Sequence, residues 1–187
     1  MRHQLTLLLA CACAFTALAG AATLQADPGP DPEPTPTTDT APAQVDFTLV
    51  RRSIQHNRHE TWYWQRVMGR PLTRELEDPP ADPARRLEAW RALAATTRRR
   101  AQNPPHKLAW LCIHRFEGAW HDPNAPYYGG LQMDVQFQRT YAPVLFRLKG
   151  TADHWTPLEQ IWAAERARRS GRGFYPWPNT ARYCGLI

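Results

Sequence analysis

Residues 106–134 read HKLAWLCIHRFEGAWHDPNAPYYGGLQMD, and this stretch determines the fold that we expect for the second half of the chain. Apolar residues recur every three or four positions over residues 106–116, which is the period of an amphipathic helix. Gly118 ends the pattern. Two tyrosines and two glycines at 127–130 then favour a short β-hairpin whose backbone can approach a ligand closely. The predicted apolar face of the helix consists of Leu108, Leu111, Cys112 and Phe116.

Glu117 is the candidate reactive group of this stretch. It lies at the end of the predicted helix, where the helix dipole places partial negative charge and a carboxylate is locally unfavourable. Its neighbours Phe116 and Trp120 are aromatic, which also disfavours the charged form of the carboxyl. We therefore expect Glu117 to act as a proton donor rather than as an ordinary surface acid.

The middle of the chain predicts a helical hairpin over residues 47–105. Apolar residues recur at helical spacing over residues 47–68, and Gly69 ends this pattern. Asp82 and Pro83 supply an N-cap and a first-turn proline for a second helix, which we expect to run to about residue 100. The hairpin is expected to precede a separate domain that spans residues 106–187.

This hairpin is strongly basic. Residues 51–107 carry thirteen Lys and Arg against six Asp and Glu, so the net charge of +6 is concentrated there. Arginines beside tryptophans can bind nucleic acid. In an exported protein we expect instead a solvated face, or one attracted to anionic cell-wall polymers, and no nucleic-acid partner. His56 and His59 lack the His-Glu-x-x-His order of a zinc hydrolase and are interpreted as part of that face.

The first 46 residues predict export. Residues 1–26 have a cationic start, an apolar run and small residues suited to cleavage, which is typical of a secretory signal peptide. Residues 27–46 carry six prolines and almost no large apolar residue, which predicts a Pro-rich disordered linker. No segment reaches the roughly 20 apolar residues of a membrane-spanning helix. We expect a secreted or cell-wall-associated protein, with lipid attachment at Cys11 as an alternative.

Cys112 and Cys184 are the two cysteines beyond the predicted signal peptide. In an exported protein such a pair predicts a single disulfide.

Several motifs occur in order along the second half of the chain. They are Cys112-x4-Glu117-Gly118-x-Trp120, Tyr127-Tyr128-Gly129-Gly130-Leu131-Gln132, Leu158-Glu159-Gln160-Ile161-x3-Ala164-Glu165, Gly173-Phe174-Tyr175-Pro176-Trp177-Pro178 and Cys184. Together they resemble the transglycosylase-like domain of resuscitation-promoting factors, in the lysozyme superfamily. The resemblance covers residues 106–187. It implies an α+β, mostly α, small lysozyme-like domain with a short β-hairpin beside its cleft.

The resemblance also implies an activity and a set of site residues. The implied substrate is the β-1,4-linked glycan of peptidoglycan, with Glu117 at the position of the catalytic glutamate and the two cysteines at the disulfide positions. Positions near the glycan-binding cleft are matched by Gln132, Asp134 and Gln160. We add three aromatic side chains suited to sugars, which makes the predicted substrate-binding set Trp120, Tyr128, Gln132, Asp134, Gln160 and Trp177.

Glycoside cleavage requires a proton donor and usually a second carboxylate. Asp134 is the acid of the predicted hairpin and Asp122 is the nearest other candidate, but we expect Glu117 to be the sole essential carboxyl. Capture of the oxocarbenium-like species by the sugar's own 6-hydroxyl gives lytic transglycosylation, and capture by water gives hydrolysis. The alternative is a non-catalytic cell-wall-binding or signalling module on the same scaffold.

No cofactor or metal is predicted. On an unbroken helix His114, Glu117 and His121 would share one face, as in a zinc site. We expect Gly118 to end the helix before His121, which would separate the three side chains.

Other polar and aromatic residues of the second half suggest structural roles. Glu159 follows Thr156 by three residues, which predicts a helix capping box. Glu165 lies near Arg168 and Arg169 in the sequence, and we expect it to form ion pairs with these arginines. The tryptophans that could be either core or sugar platform are Trp155, Trp162 and Trp177, with Trp177 the preferred platform.

Overall fold

The computed structural model of the protein describes residues 46–76 and 81–187. The predicted signal peptide, and the predicted linker up to residue 45, lie outside the described residues. In chain order the described residues form helices α1 (Phe47–Met68), α2 (Pro83–Gln102) and α3 (Lys107–Glu117), strands β1 (Tyr127–Tyr128) and β2 (Met133–Asp134), and helices α4 (Val135–Tyr141), α5 (Pro143–Lys149), α6 (Pro157–Ala167) and α7 (Pro178–Tyr183). This described part of the chain is mostly α with one two-stranded antiparallel sheet, as predicted.

Local capping sets the ends of the first two helices. The Asp46 carboxylate accepts a hydrogen bond from the Thr48 backbone N–H at 2.8 Å, and Gly69 closes α1 in the left-handed conformation with φ 64°. Asp82 accepts from the Ala84 N–H at 3.0 Å at the start of α2. The predicted start and end of α1 and the predicted start of α2 are therefore confirmed.

The helical hairpin shares its core with the rest of the described chain. Helices α1 and α2 pack against each other, and α1 also packs on α5 and α6. Arg98 on α2 forms a two-point ion pair with Glu60 on α1, at 2.6 and 2.5 Å. The indole N–H of Trp162 on α6 donates to the Ala101 carbonyl at 2.7 Å. Hairpin and C-terminal helices are thus parts of one packed body.

Glu159 ties α1, α5 and α6 together. The predicted capping box is present, because the Thr156 N–H donates to the Glu159 carboxylate at 2.8 Å and the Thr156 hydroxyl accepts from the Glu159 N–H at 3.4 Å. The same carboxylate also accepts from the Lys149 ammonium at 2.7 Å and from the Tyr63 hydroxyl. Burial raises the pKa of the Tyr63 hydroxyl, and the neighbouring Glu159 carboxylate raises it further.

The predicted apolar face of α3 is wrong. Trp110 and Ile113 are fully buried, whereas Leu108 is 82 % exposed, Phe116 53 % and Leu111 38 %. Apolar residues occur on every side of this helix, so the sequence pattern does not select one face. Packing selects the side that buries the largest ring, because that side removes the most apolar area from water.

Glu165 lies fully buried on α6 rather than on the surface. Its carboxylate accepts from the Trp110 indole N–H at 2.7 Å, lies 2.9 Å from His106 Nδ1 and forms the predicted pair with Arg168 at 3.4 Å. Arg169 instead donates to the Met68 carbonyl at 2.5 Å. Buried carboxylates need such partners because an unpaired charge in a core is costly. Glu165 therefore joins α3 to α6 inside the core.

The predicted disulfide between Cys112 and Cys184 is present. It connects the middle of α3 to the residue that follows α7. The end of the chain is thereby held beside the helix that carries Glu117.

None of the helices within the described residues is long and apolar enough to cross a membrane.

Candidate active site

Glu117 lies at the edge of a cleft between the end of α3, the β-hairpin and the start of α7. It is the last residue of α3, and the extended backbone of Gly118 then carries the chain away from the helix. The carboxyl group is half-buried. The cleft has a volume of about 290 Å³ and is lined by Glu117, Tyr127, Gln132, Pro176, Trp177, Pro178 and Asn179. The apolar surroundings of the carboxyl thus include Trp177 and two prolines, whereas Phe116 packs on Tyr183 instead.

Thr180 on α7 holds the Glu117 side chain. Its buried hydroxyl donates to Glu117 Oε1 at 2.7 Å and lies 3.3 Å from the Trp177 carbonyl. The described residues place no hydrogen-bond partner on Glu117 Oε2. One carboxyl oxygen is therefore fixed by the protein, and the other is available to a ligand.

Thr180 was not predicted as a site residue. It is 63 positions from Glu117 in the sequence, and no local motif indicates the contact. The predicted disulfide could have indicated the contact, because Thr180 lies one helical turn before Cys184 and Glu117 lies just beyond Cys112. Pairing the two cysteines places those two turns side by side.

Gln132 lies in the cleft, as predicted. Its backbone has φ 46°, and its amide Nε2 donates to the Asp122 carboxylate at 2.9 Å and to the Gly129 carbonyl at 3.0 Å. A side chain at position 118 would begin 3.0 Å from the same nitrogen. The glycine after Glu117 therefore leaves room for the Gln132 amide next to the candidate acid.

The β-hairpin presents Tyr127, not Tyr128, to the Glu117 cleft. Tyr127 pairs with Asp134 and Tyr128 pairs with Met133, and successive strand residues point to opposite faces. Met133 is buried, so the strand face that carries Tyr128 is turned to the core. Tyr128 also lines a separate hollow, together with Pro126. The prediction of Tyr128 named the wrong one of two adjacent tyrosines for this cleft, since alternation in the sequence does not say which face is outward.

The cleft continues into a second hollow of about 180 Å³ along the hairpin. Tyr127, Gln132 and Trp177 line both parts, and Asp134 and the exposed Arg172 are added in the second. The Asp134 carboxylate accepts from the Phe137 N–H at 2.6 Å and caps α4. Asp134 thus lies along the predicted groove, with one of its oxygens occupied by the helix cap.

Gln160 does not contact the cleft, which corrects its predicted role in substrate binding. The side chain is fully buried. Its Oε1 accepts from the Gly130 N–H at 2.8 Å, and the two hydrogens of its Nε2 are shared among three carbonyls within hydrogen-bond distance, including that of Trp120 at 2.8 Å. These bonds use the hydrogen-bonding capacity of the amide nitrogen. Gln160 therefore positions the loop behind the hairpin.

Trp120 is likewise absent from the lining of the Glu117 cleft. Its indole stacks on the His114 ring, with centroids 3.8 Å apart. His114 Nδ1 lies 3.0 Å from the Gly130 carbonyl. A side chain at position 130 would begin 2.6 Å from the indole, so this pair packs directly on the hairpin backbone.

Trp177 is both core and cleft floor. It is only 5 % exposed, and its indole N–H donates to the Leu131 carbonyl at 2.6 Å. Its ring packs edge-on against Trp110 and Phe137 at 5.1 and 5.4 Å. The remaining surface lines both hollows, so a ligand would meet the rim of a rigid indole. Trp155 and Trp162 are core residues, with 0 % and 4 % exposure.

The three residues of the alternative zinc site are not brought together. His121 lies beyond the end of α3 and its Nδ1 is 2.8 Å from the Asp153 carbonyl, while His114 is stacked on Trp120. Within residues 46–76 and 81–187, no group of three His, Cys, Asp or Glu side chains is arranged to hold a metal ion.

Comparison with models of known protein families, with curated proteins and with solved structures finds no match to this chain in any of the three.

Proposed function

We propose that the protein is an exported enzyme that cleaves the β-1,4-linked glycan strands of peptidoglycan, with Glu117 as the general acid. The observation that carries the proposal is the placement of Glu117. Its carboxyl is half-buried in a groove, with Oε1 held by Thr180 and Oε2 unpartnered among the described residues. The ordered motifs of residues 112–184 support the same activity by their resemblance to a transglycosylase-like domain.

The geometry around Glu117 suits a proton donor. A hydroxyl can donate both to a carboxylate oxygen and to the carbonyl oxygen of a carboxylic acid, so Thr180 can hold Oε1 in both protonation states while a proton sits on Oε2. The proton on Oε2 would pass to the glycosidic oxygen as the bond to the anomeric carbon breaks, leaving an oxocarbenium-like sugar. Because the carboxyl is already held in place, little orientational entropy is lost in reaching that arrangement.

A single-acid mechanism fits the residues of the cleft. Among the described residues that line the Glu117 cavity, Glu117 itself is the one that bears a carboxyl. Asp134 lines the adjoining hollow and caps α4, and Asp122 is hydrogen-bonded to Gln132 and Asn124. The oxocarbenium-like species would then be captured by the sugar's own 6-hydroxyl or by a water molecule, and the Glu117 carboxylate would take up the proton that this nucleophile releases.

The other residues of the groove suit a sugar chain. Tyr127 and Trp177 offer aromatic surface, and the Oε1 of Gln132 can accept from a hydroxyl or an N-acetyl N–H. Arg172 supplies a positive charge farther along the groove, where it can attract the carboxylates that peptidoglycan carries.

The test is digestion of purified peptidoglycan, with released muropeptides identified by mass spectrometry. We expect products from the wild type and from Glu88→Gln, a matched change at an exposed glutamate of α2, and none from Glu117→Gln. Ends with 1,6-anhydro sugars would identify transglycosylation, and reducing ends would identify hydrolysis.

Equal product from wild type and Glu117→Gln would refute the catalytic role of Glu117. If no variant releases product but the wild type still sediments with insoluble peptidoglycan, the protein is the non-catalytic wall-binding module instead.

A further inference from the structure

The side-chain amide of Gln132 is fixed in one orientation beside the candidate acid. Its nitrogen Nε2 donates to Asp122 Oδ2 at 2.9 Å and to the Gly129 carbonyl at 3.0 Å. An amide nitrogen of this kind has two hydrogens and accepts none, so both hydrogens are used inside the protein. If the amide were turned over, its oxygen Oε1 would face two other acceptors. The two neighbours therefore allow a single orientation of the amide.

The backbone of Gln132 is held as well as its side chain. Its φ of 46° lies in the left-handed region, which residues other than glycine seldom adopt. The Gln132 backbone N–H donates to the Gly129 carbonyl at 3.0 Å. Backbone of this kind persists where the surrounding contacts hold it, and it is found often at functional sites. The conformation of this residue is therefore a second feature, separate from the amide, that fixes Gln132 in the cleft.

The oxygen Oε1 of this amide is the atom left for a ligand. The described residues place no hydrogen-bond donor on it, and Gln132 lines both the Glu117 cleft and the adjoining hollow. At this point the cleft thus offers a fixed acceptor and not a donor. A hydroxyl can rotate to meet either kind of partner, whereas an amide N–H can only donate. A fixed acceptor is therefore best suited to an N–H group.

Asp122 holds the amide through one of its two carboxylate oxygens. Oδ2 accepts from Gln132. Oδ1 accepts from the Asn124 backbone N–H at 3.1 Å and from the Asn124 side-chain amide. Both oxygens are thus engaged within the protein, which suits Asp122 to hold a neighbour and not to attack a sugar. Because an ionised carboxylate can only accept, it forces the nitrogen of the Gln132 amide toward itself.

We propose that Asp122 is a positioning residue that locks the Gln132 amide, so that Oε1 accepts a hydrogen bond from the acetamido N–H of a 2-acetamido sugar. The inference rests on the proposed function, since it assigns a substrate contact to the Glu117 cleft. The sugars of peptidoglycan strands carry such acetamido groups. Because the acceptor is already in place, little side-chain entropy is lost when the sugar binds. The lock therefore makes the cleft selective for glycans that are N-acetylated at C2.

The test is an NMR titration of the full chain with chitotetraose, a β-1,4-linked tetramer of 2-acetamido sugars. Glu117→Gln is the parent protein, so that the probe is not cleaved during the titration. The diagnostic change in this parent is Asp122→Asn. The two donors of Asn124 require the oxygen of the new amide, so its NH2 group turns toward Gln132. The Gln132 amide must then turn over and present a donor to the cleft.

The matched control is Asn124→Ala in the same parent. It removes a side-chain bond to the other oxygen of Asp122 and leaves the bond to Gln132 in place. Circular dichroism checks that both variants retain the helical content of the parent protein.

We expect about tenfold weaker binding of chitotetraose after Asp122→Asn, because an N–H in the sugar would meet a donor in place of its acceptor. The Kd after Asn124→Ala should equal that of the parent. An unchanged Kd after Asp122→Asn would overturn the proposal, since a sugar hydroxyl could rotate to accept from the turned amide. Equal weakening by the two changes would also overturn it, because loss of loop stability would explain both. If the parent binds no chitotetraose, the inference falls, and muropeptide release by the wild type then decides whether the proposed function falls with it.

Discussion

Replacing Thr180 by valine tests the contact that holds Glu117 in the cleft. Thr180 is 8 % exposed, and its hydroxyl donates to Glu117 Oε1 at 2.7 Å. Valine keeps the shape of the side chain but removes the donor, so the change isolates the hydrogen bond from the packing of α7 against α3.

The expected magnitude follows from the kind of bond that is lost. A hydrogen bond contributes ~0.5–1.5 kcal/mol to stability between neutral groups and ~1.5–3 kcal/mol when one partner is charged. Because Glu117 is only half-buried and water can partly replace the hydroxyl, we expect a loss of about 1.5 kcal/mol, where the two ranges meet. The same loss of orientation should lower kcat on peptidoglycan about tenfold with little change in KM, since ~1.4 kcal/mol corresponds to tenfold in rate.

Urea unfolding measures the first effect, and the initial rate of muropeptide release at several substrate concentrations measures the second. Thr180→Ser keeps the hydroxyl and loses the methyl group, so it should restore most of kcat. If the valine variant keeps the wild-type kcat, or if the serine and valine variants lose kcat equally, then the hydroxyl does not position Glu117 and the reasoning is refuted.

Three further changes test the supports of the cleft. Reduction of the disulfide should lower the Tm in a thermal scan, since the bond spans a separation of 72 residues and the chain-entropy model assigns such a loop up to about 4 kcal/mol; an unchanged Tm would contradict this. The free energy of unfolding should fall above about pH 10, because the raised pKa of Tyr63 keeps its hydroxyl protonated in the folded state while the unfolded chain releases the proton. Urea titrations at several pH values should show a smaller fall in Tyr63→Phe than in the wild type. Identical pH profiles for the two proteins would argue against the effect. Gly129→Ala should cost more stability in urea unfolding than Gly150→Ala. Both glycines have positive φ, so the backbone strain is similar, but the new Cβ lies 2.6 Å from the Gln160 amide at position 129 and 3.9 Å from its nearest neighbour at position 150. Equal costs would show that the contact with Gln160 relaxes.

The features that the sequence predicted well are those set by neighbouring residues. Asp82 and Pro83 begin α2 because a capping carboxylate and a fixed proline φ act within one turn. Gly69 ends α1 because it adopts a left-handed backbone at little cost. The sequence also predicted Glu117 correctly as the end of α3, because Gly118 follows it directly, although Gly118 leaves the helix in an extended and not a left-handed backbone.

The features that the sequence did not predict depend on distant partners. The exposure of Leu108 and the burial of Trp110 are decided by what packs on α3, not by the helix itself. The choice of Tyr127 over Tyr128 depends on which face of a two-residue strand meets Met133 and the core. Thr180 lies beside Glu117 because α7 is held against α3, both by the Cys112–Cys184 bond and by the packing of Phe116 on Tyr183. Each of these is a tertiary contact that local patterns leave open.

Gln160 shows how a contact outside the cleft can still determine its shape. The amide bonds to the Gly130 N–H and to the Trp120 carbonyl on either side of the turn-rich loop. That loop leads to Gln132, which lies beside Glu117. The position of the cleft wall therefore depends on where α6 holds this one buried side chain.

The position of α6 depends in turn on the helical hairpin. Trp162 on α6 donates to the Ala101 carbonyl near the end of α2, and Arg166 to the Arg66 carbonyl on α1. A region of the size of residues 106–187 has a small core and is marginal alone, whereas Met68 and Ala101 of the hairpin belong to the main buried cluster. The hairpin thus supports α6 and, through Gln160, the loop behind the cleft.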